Sequence, residues 1–135
     1  MRVAVALALA LLVAACGSSE SPPRCDTCGM QIVADDGWRA GAEGLAFDAP
    51  KCLFRHRHRH GALTEPWVIE YYGQTRRPAG EMLYVTGTDL QSPMGRDLVP
   101  VEGREAAERM QRDHGGDAIL EYDEVSEELV EGLFR

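Results

Sequence analysis

The chain has 135 residues, with 14 basic and 22 acidic side chains and a formal net charge of −8 at pH 7. This length accommodates one compact domain and excludes a large multidomain enzyme. The acidic balance argues against a nucleic-acid partner, because binding to phosphates requires a net basic surface.

The N-terminus is predicted to be an export signal. Arg2 precedes an unbroken run of Val, Ala and Leu at 3–15, which is shorter than the roughly 20 apolar residues of a membrane span but suits a secretory signal. Residues 13–16 (VAAC) resemble a bacterial lipobox. We therefore predict a lipoprotein signal peptide at 1–15, cleavage before Cys16 and acylation of Cys16; the alternative is an uncleaved anchor.

Residues 17–24 (GSSESPPR) are rich in Gly, Ser and Pro, which is typical of a flexible tether. We interpret 16–24 as a lipidated cysteine followed by this tether. The mature chain is then held on the cell membrane by its lipid, facing the periplasm or the extracellular side, where conditions are oxidising.

The first half of the mature chain predicts short strands at 30–34, 38–41 and 45–47, separated by glycines. Asp48 is the predicted N-cap of a helix at 49–60, with Pro50 in its first turn and Gly61 at its end. Residues 66–72 (PWVIEYY) are rich in β-branched and aromatic side chains, which is typical of a strand.

The second half predicts strands at 82–86, 98–101 and 118–122, a loop at 87–97 and helices at 102–114 and 126–134. Both main helices end in His-Gly, and both following strands end in aliphatic-Glu-Tyr, which indicates an internal duplication of about fifty residues. We predict an α+β fold in which two small, similar ββαβ units, about 25–73 and 81–122, pack into one compact domain (25–122). An acidic C-terminal tail helix follows at 123–135.

The densest chemical signal is the segment 25–30 (CDTCGM). A redox CxxC pair usually begins a helix, whereas no helical pattern follows Cys28. A c-type haem would require histidine where Gly29 stands. Two alternatives stay open: a structural zinc site completed by Cys52 and a histidine, and a structural disulfide between Cys25 and Cys28 or of either with Cys52.

The residues favour a soft-metal site. Thiolate and thioether donors prefer Cu(I), and Cys28 and Met30 point to the same side of an extended segment because they lie two residues apart. Met94 lies in a Pro-Met-Gly turn, where a methionine is less expected as core filler. A duplicated fold would bring the loops of Met30 and Met94 together. No hydrolase, zinc-protease or P-loop motif occurs, so no enzyme activity is predicted.

The histidines are predicted to be structural. Alternate positions of 55–60 (RHRHRH) lie about 200° apart on a helix, so the three histidines do not converge, and the arginines between them repel a cation. Positive charge at a helix C-terminus is favourable. His114 is expected to close its helix; His114 and Cys52 stay secondary candidate ligands.

Several motifs occur in order along 16–122: CGM at 28–30, FD at 47–48 with CLF at 52–54, YVTGTD at 84–89, SPMG at 92–95 with DLVP at 97–100, and AA at 106–107 before HGG at 114–116. Together they resemble NosL, the accessory lipoprotein family of nitrous oxide reductase. The resemblance implies a fold of two ββαβ units and a membrane-tethered Cu(I)-binding protein. Such a protein delivers copper to nitrous oxide reductase or its copper-site assembly machinery.

Carried over to matching positions, the copper ligands would be Cys28 and Met94, with Met30 as the third ligand and Cys25 as its competitor. Two other functions remain as alternatives. One is a lipid-anchored structural domain with a Cys25–Cys28 disulfide and no metal transfer, and the other is a CxxC thiol–disulfide oxidoreductase.

Overall fold

The computed structural model describes residues 21–34 and 37–135. The predicted signal peptide, the lipidation at Cys16 and the first part of the tether lie outside the described residues. Within the described ranges, no helix has the length and apolar character needed to cross a membrane.

The first half forms a four-stranded antiparallel sheet with one helix. The sheet order is β2-β1-β3-β4. Its elements are β1 (Ala40–Ala42), β2 (Leu45–Phe47), α1 (Pro50–His60), β3 (Trp67–Glu70) and β4 (Thr75–Pro78).

The second half forms a three-stranded antiparallel sheet of order β8-β5-β9, a separate β6-β7 hairpin and two helices. The elements are β5 (Leu83–Thr86), β6 (Gln91–Ser92), β7 (Gly95–Arg96), β8 (Val99–Val101), α2 (Arg104–His114), β9 (Ala118–Glu121) and α3 (Glu127–Gly132).

The two halves share one topology. In each half, the first strand pairs on one side with the strand that directly precedes the helix and on the other side with the strand that follows the helix. The resulting orders are β2-β1-β3 and β8-β5-β9. The predicted α+β class is thereby confirmed. Two additions distinguish the halves: β4 extends the first sheet, and the β6-β7 hairpin interrupts the second unit.

Several predicted elements are wrong in detail. Residues 30–34 form no strand beyond one bridge between Arg24 and Gln31, because the backbone before them is closed into a turn. The strand predicted at 38–41 is β1 at 40–42. Strand β4 and the hairpin inside the loop predicted at 87–97 were both missed.

The start of α1 also differs from its prediction. The N-cap is Ala49, with no side-chain cap, and the Asp48 side chain lies beside Cys28 instead. The Lys51 N–H in the first turn donates at 2.8 Å to Asp97 Oδ1 from the second half. A carboxylate from the other unit thus satisfies one of the donors that every helix start leaves open.

The larger hydrophobic core joins both halves to the C-terminal tail. Phe54 in α1 meets Tyr84 in β5 edge to face, with ring centroids 4.9 Å apart. Val125 and Val130 from the tail belong to the same buried cluster. A second cluster lies between α2 and its sheet and contains Met110. Met82 is buried in the larger cluster.

Candidate metal centre

Three chain segments bring sulfur atoms together: the turn at 25–30, the first turn of α1 and the β6-β7 turn. Within the first turn, the Cys25 N–H donates to the Met30 carbonyl and the Gly29 N–H to the Cys25 carbonyl, each at 2.8 Å. Gly29 has φ +75°, a left-handed conformation that glycine adopts without steric cost. This closure points the side chains of Cys25 and Cys28 toward α1.

Polar contacts dock this turn against β2 and α1. The Asp26 N–H donates to the Ala46 carbonyl at 2.9 Å, and the Ala46 N–H donates to Asp26 Oδ2 at 2.8 Å. The Thr27 hydroxyl donates to the Cys52 carbonyl at 2.7 Å. The relative positions of the CxxC pair and α1 are therefore set by hydrogen bonds that involve no sulfur.

One sulfur-rich cluster results. The Sγ atoms of Cys25, Cys28 and Cys52 and a carboxylate oxygen of Asp48 all lie within 4.8 Å of one another, a spacing that could hold a metal ion. Met94 Sδ lies 3.6 Å from Cys52 Sγ. All three cysteines are free thiols in this structure. We call these five residues the sulfur cluster.

The sulfur cluster is closed on one side and open on the other. Cys25 is 3% exposed and Cys52 0%, whereas Cys28 and Met94 are only partly buried. A metal ion would therefore arrive and leave past Cys28 and Met94.

The three thiols differ in acidity. The Cys52 S–H donates to Cys25, and backbone N–H groups of Asp48, Cys28 and Thr27 add to this effect, so the pKa of Cys25 falls to about 6 although burial opposes it. Burial raises the pKa of Cys28 to about 11, and the neighbouring Cys25 acts in the same direction. At neutral pH the cluster therefore contains a thiolate at Cys25 and a thiol at Cys28.

Cys52 is the least acidic of the three. Donation to Cys25 raises the pKa of Cys52 far above its ordinary value, and burial and the charges of Cys25 and Asp48 raise it further. A metal ion that binds Cys28 or Cys52 must displace the proton of that thiol. The cluster thus offers a metal ion one ready thiolate and two donors that require proton release.

Some of the metal ligands predicted from the sequence belong to the sulfur cluster and others do not. Cys28 and its competitor Cys25 lie within 4.8 Å of the secondary candidate Cys52. Met94 lies 3.6 Å from Cys52. The side chain of Met30 is 42% exposed, so its role as third ligand stays a prediction. His114 ends α2, where its Nδ1 lies 2.9 Å from Asp89 Oδ1, in keeping with its expected structural role.

Asp48 is the cluster member that sequence analysis missed. Its two carboxylate oxygens each lie 3.5 Å from Cys28 Sγ, and the residue is 4% exposed. No local signal pointed to it, because Asp48 precedes the N-cap Ala49, whose backbone is extended, so helical spacing does not relate Asp48 to Cys52.

Lys51 holds the Met94 turn in place. It is 1% exposed, and its Nζ donates to the carbonyls of Met94 at 2.7 Å, Arg96 at 2.9 Å and Leu133 at 3.1 Å. An ammonium group has three donors, so each is used. The turn that presents Met94 and the end of the chain thus share one buried cation.

Asp97, which caps α1, allows a test of pH-dependent stability. Burial raises the pKa of Asp97 to about 7 from 3.8, against hydrogen bonds from Leu98 and Lys51 that lower it. Because the folded pKa is the higher one, this contribution to stability is fully present below about pH 4 and is lost as the pH rises through about 7.

We expect Asp97→Asn, which retains the Oδ1 acceptor, to remove that dependence. The free energy of unfolding of the unmodified chain should fall relative to the variant by up to about 3 kcal/mol between pH 5 and pH 8, since about two of the pH units below the folded pKa lie in this range. Urea unfolding across this range measures the difference. Parallel pH profiles for the two proteins would contradict the assignment.

Fold and site together define a small α+β domain with a partly buried, cysteine-rich cluster that could hold a metal ion. The chain belongs to the NosL family, whose family model matches residues 18–130. The resemblance found in the sequence is thereby confirmed. No curated protein sequence matches the chain significantly.

A similar fold occurs in the crystal structure of the copper chaperone NosL from Shewanella denitrificans. The two chains superpose with a TM-score of 0.65 at 18% sequence identity, and the alignment covers 81% of this chain and 93% of that chain. At this identity the likeness shows a shared fold.

Proposed function

We propose that this chain is a copper chaperone that binds one Cu(I) ion in its sulfur cluster and delivers it for the assembly of nitrous oxide reductase. The convergence of three free thiols and a thioether at one partly exposed point carries this proposal. Polarisable sulfur donors select Cu(I) over harder cations. Family membership and the similar fold of a copper chaperone support it.

Capture begins at the Cys25 thiolate, since this donor is deprotonated at neutral pH. Cys52, Cys28 and Met94 then complete the coordination, the last two from the open side of the cluster. Release reverses this order: an incoming thiolate or imidazole of the partner displaces the exposed donors first, and protons return to thiols whose raised pKa favours the neutral form. Copper thus passes between proteins by ligand exchange, and the chain itself is not an enzyme.

Membrane attachment through acylated Cys16 belongs to the same proposal. It keeps the domain on the periplasmic or extracellular face, where a copper enzyme outside the cytoplasm is assembled. The tether allows the open side of the cluster to turn toward its partner.

The decisive test is an anaerobic Cu(I) titration against a competing chelator, with thiols counted before and after. We expect one equivalent to bind, and Cys28→Ser to weaken binding by more than about tenfold. Even the loss of a residue that only supports a metal ligand lowers metal affinity about 10–100-fold. Met94→Leu should also weaken it.

Met110→Leu is the matched control, because Met110 is buried in the second hydrophobic cluster, in which none of the described cysteines is found. A volume-conserving core substitution is well tolerated. Unchanged affinity in both site variants would overturn the copper proposal. A purified chain without free thiols that ignores copper would instead support the structural alternative.

A further inference from the structure

Helix α1 ends in three histidines that face two directions. His58 lies against the C-terminal tail, with Nε2 2.9 Å from the Val125 carbonyl oxygen. His56 and His60 lie together elsewhere on the helix, with ring centroids 4.4 Å apart. The alternation that excludes a three-histidine site applies to His58, whereas residues four apart are only about 40° apart around a helix.

Two arginines of the same segment donate hydrogen bonds to the C-terminal tail. Arg55 Nε donates to Glu131 Oε1 at 2.8 Å, and Arg57 donates to the Tyr122 carbonyl at 2.7 Å and to Asp123 at 3.1 Å. Their charges therefore meet acceptors on the tail. The expected repulsion of a cation by this segment is reduced accordingly.

The surroundings of the pair suit a metal ion. His56 packs on Phe47 with centroids 5.3 Å apart, which limits the movement of its ring, and both imidazoles reach solvent. Burial lowers the pKa of His56, and His60 lowers it further, while the charge of Asp26 opposes them. A neutral imidazole has a lone pair for a metal, and Asp26 supplies a nearby negative charge.

We propose that His56 and His60 form a second metal site, which binds a divalent first-row ion and, by the general affinity order, Cu(II) most tightly. Two histidines at i and i+4 are the arrangement in which helical metal sites hold Zn²⁺, and imidazole suits Zn, Cu and Ni. This donor class differs from the thiols of the sulfur cluster. The site therefore goes beyond the proposed Cu(I) function and does not depend on it.

Ni²⁺ is the most suitable probe, because it does not oxidise thiols as Cu²⁺ does. In NMR spectra of the reduced, copper-free chain, substoichiometric Ni²⁺ should broaden the imidazole resonances of His56 and His60 while those of His58 and His114 stay sharp. His56→Gln should abolish the broadening at His60, and His60→Gln that at His56. His114→Gln, at the equivalent end of α2, is the matched control and should change nothing.

Equal broadening of all four histidines, or broadening at His60 that survives His56→Gln, would overturn the proposal. Broadening confined to residues of the sulfur cluster would overturn it as well. Cu(I) affinity of His56→Gln should equal that of the unmodified chain, so failure here and failure of the Cu(I) proposal are separate results.

Discussion

Replacing Cys52 with serine should lower the affinity for Cu(I) by about 100-fold or more, although Cys52 is fully buried and is not among the most obvious sequence candidates. Its Sγ lies in the group that could hold a metal and 3.6 Å from Met94 Sδ. Cys52 Sγ therefore lies close to both the cysteines of the CxxC turn and the thioether of Met94. Loss of a residue that only supports a metal ligand lowers metal affinity about 10–100-fold. Loss of a direct ligand should lower it by at least the upper end of this range.

The variant Cys52→Ala separates ligation from hydrogen bonding. Cys52 is the main cause of the lowered pKa of Cys25, because it donates to that sulfur. Serine keeps a donor at this position and alanine does not. Both variants should lose affinity, but only alanine should raise the pKa of Cys25, which the thiolate absorbance measures as a function of pH.

X-ray absorption of the Cu(I)-loaded protein completes this comparison. We expect one sulfur neighbour fewer around copper in both Cys52 variants. Should Cys52→Ser bind copper as the unmodified chain does, Cys52 would only support Cys25 through its hydrogen bond and would not be a ligand.

The order of helices and strands could be read from the sequence where local chemistry decides it. Gly61 and the Gly115-Gly116 pair end their helices as predicted. Strand β4 was missed because its sequence, Thr-Arg-Arg-Pro, lacks alternation and contains proline. It lies at the edge of its sheet, where charged residues and proline are tolerated. Pairing with β3, and not intrinsic preference, makes it a strand.

The candidate site could be predicted from the sequence only where the chemistry of single residues decides it. The chemistry of thiolate and thioether donors predicted Cys28, Met30 and Met94 as ligands without any structure, and of these Cys28 and Met94 belong to the sulfur cluster. The proximity of Cys52 and Asp48 to the CxxC pair depends on how the turn at 25–30 docks on β2 and α1. These are contacts between segments distant in sequence, and no local pattern contains them. A capping role for Asp48 was the reasonable local expectation, and the tertiary contact with Cys28 replaced it.

Replacing Lys51 with methionine should lower the free energy of unfolding by about 3 kcal/mol or more, because three carbonyl acceptors lose their donor at about 1 kcal/mol or more each. Three carbonyls, those of Met94, Arg96 and Leu133, would lose their shared donor. A buried acceptor without a partner costs about 1–3 kcal/mol. Urea unfolding monitored by circular dichroism measures the change.

Arg59→Met is the matched control on the same helix, since Arg59 is 52% exposed and pairs with Glu131 at 3.4 Å. Exposed pairs contribute about 0–1 kcal/mol. Lys51→Gln keeps two donors and should lose less stability than Lys51→Met, which preserves the test if the methionine variant does not fold. Equal effects of Lys51→Gln and Arg59→Met would contradict the role of the buried ammonium.

The same lysine should affect copper through Met94 alone. Lys51→Gln loosens the turn that presents the thioether but leaves the three thiols in place, so Cu(I) affinity should fall no further than in Met94→Leu. The double variant should bind like Met94→Leu, because two substitutions that remove one interaction are not additive. If Cu(I) affinity were lower in the double variant than in Met94→Leu, Lys51 would support the thiols as well as Met94. Lys51 would then hold both the Met94 turn and the CxxC turn.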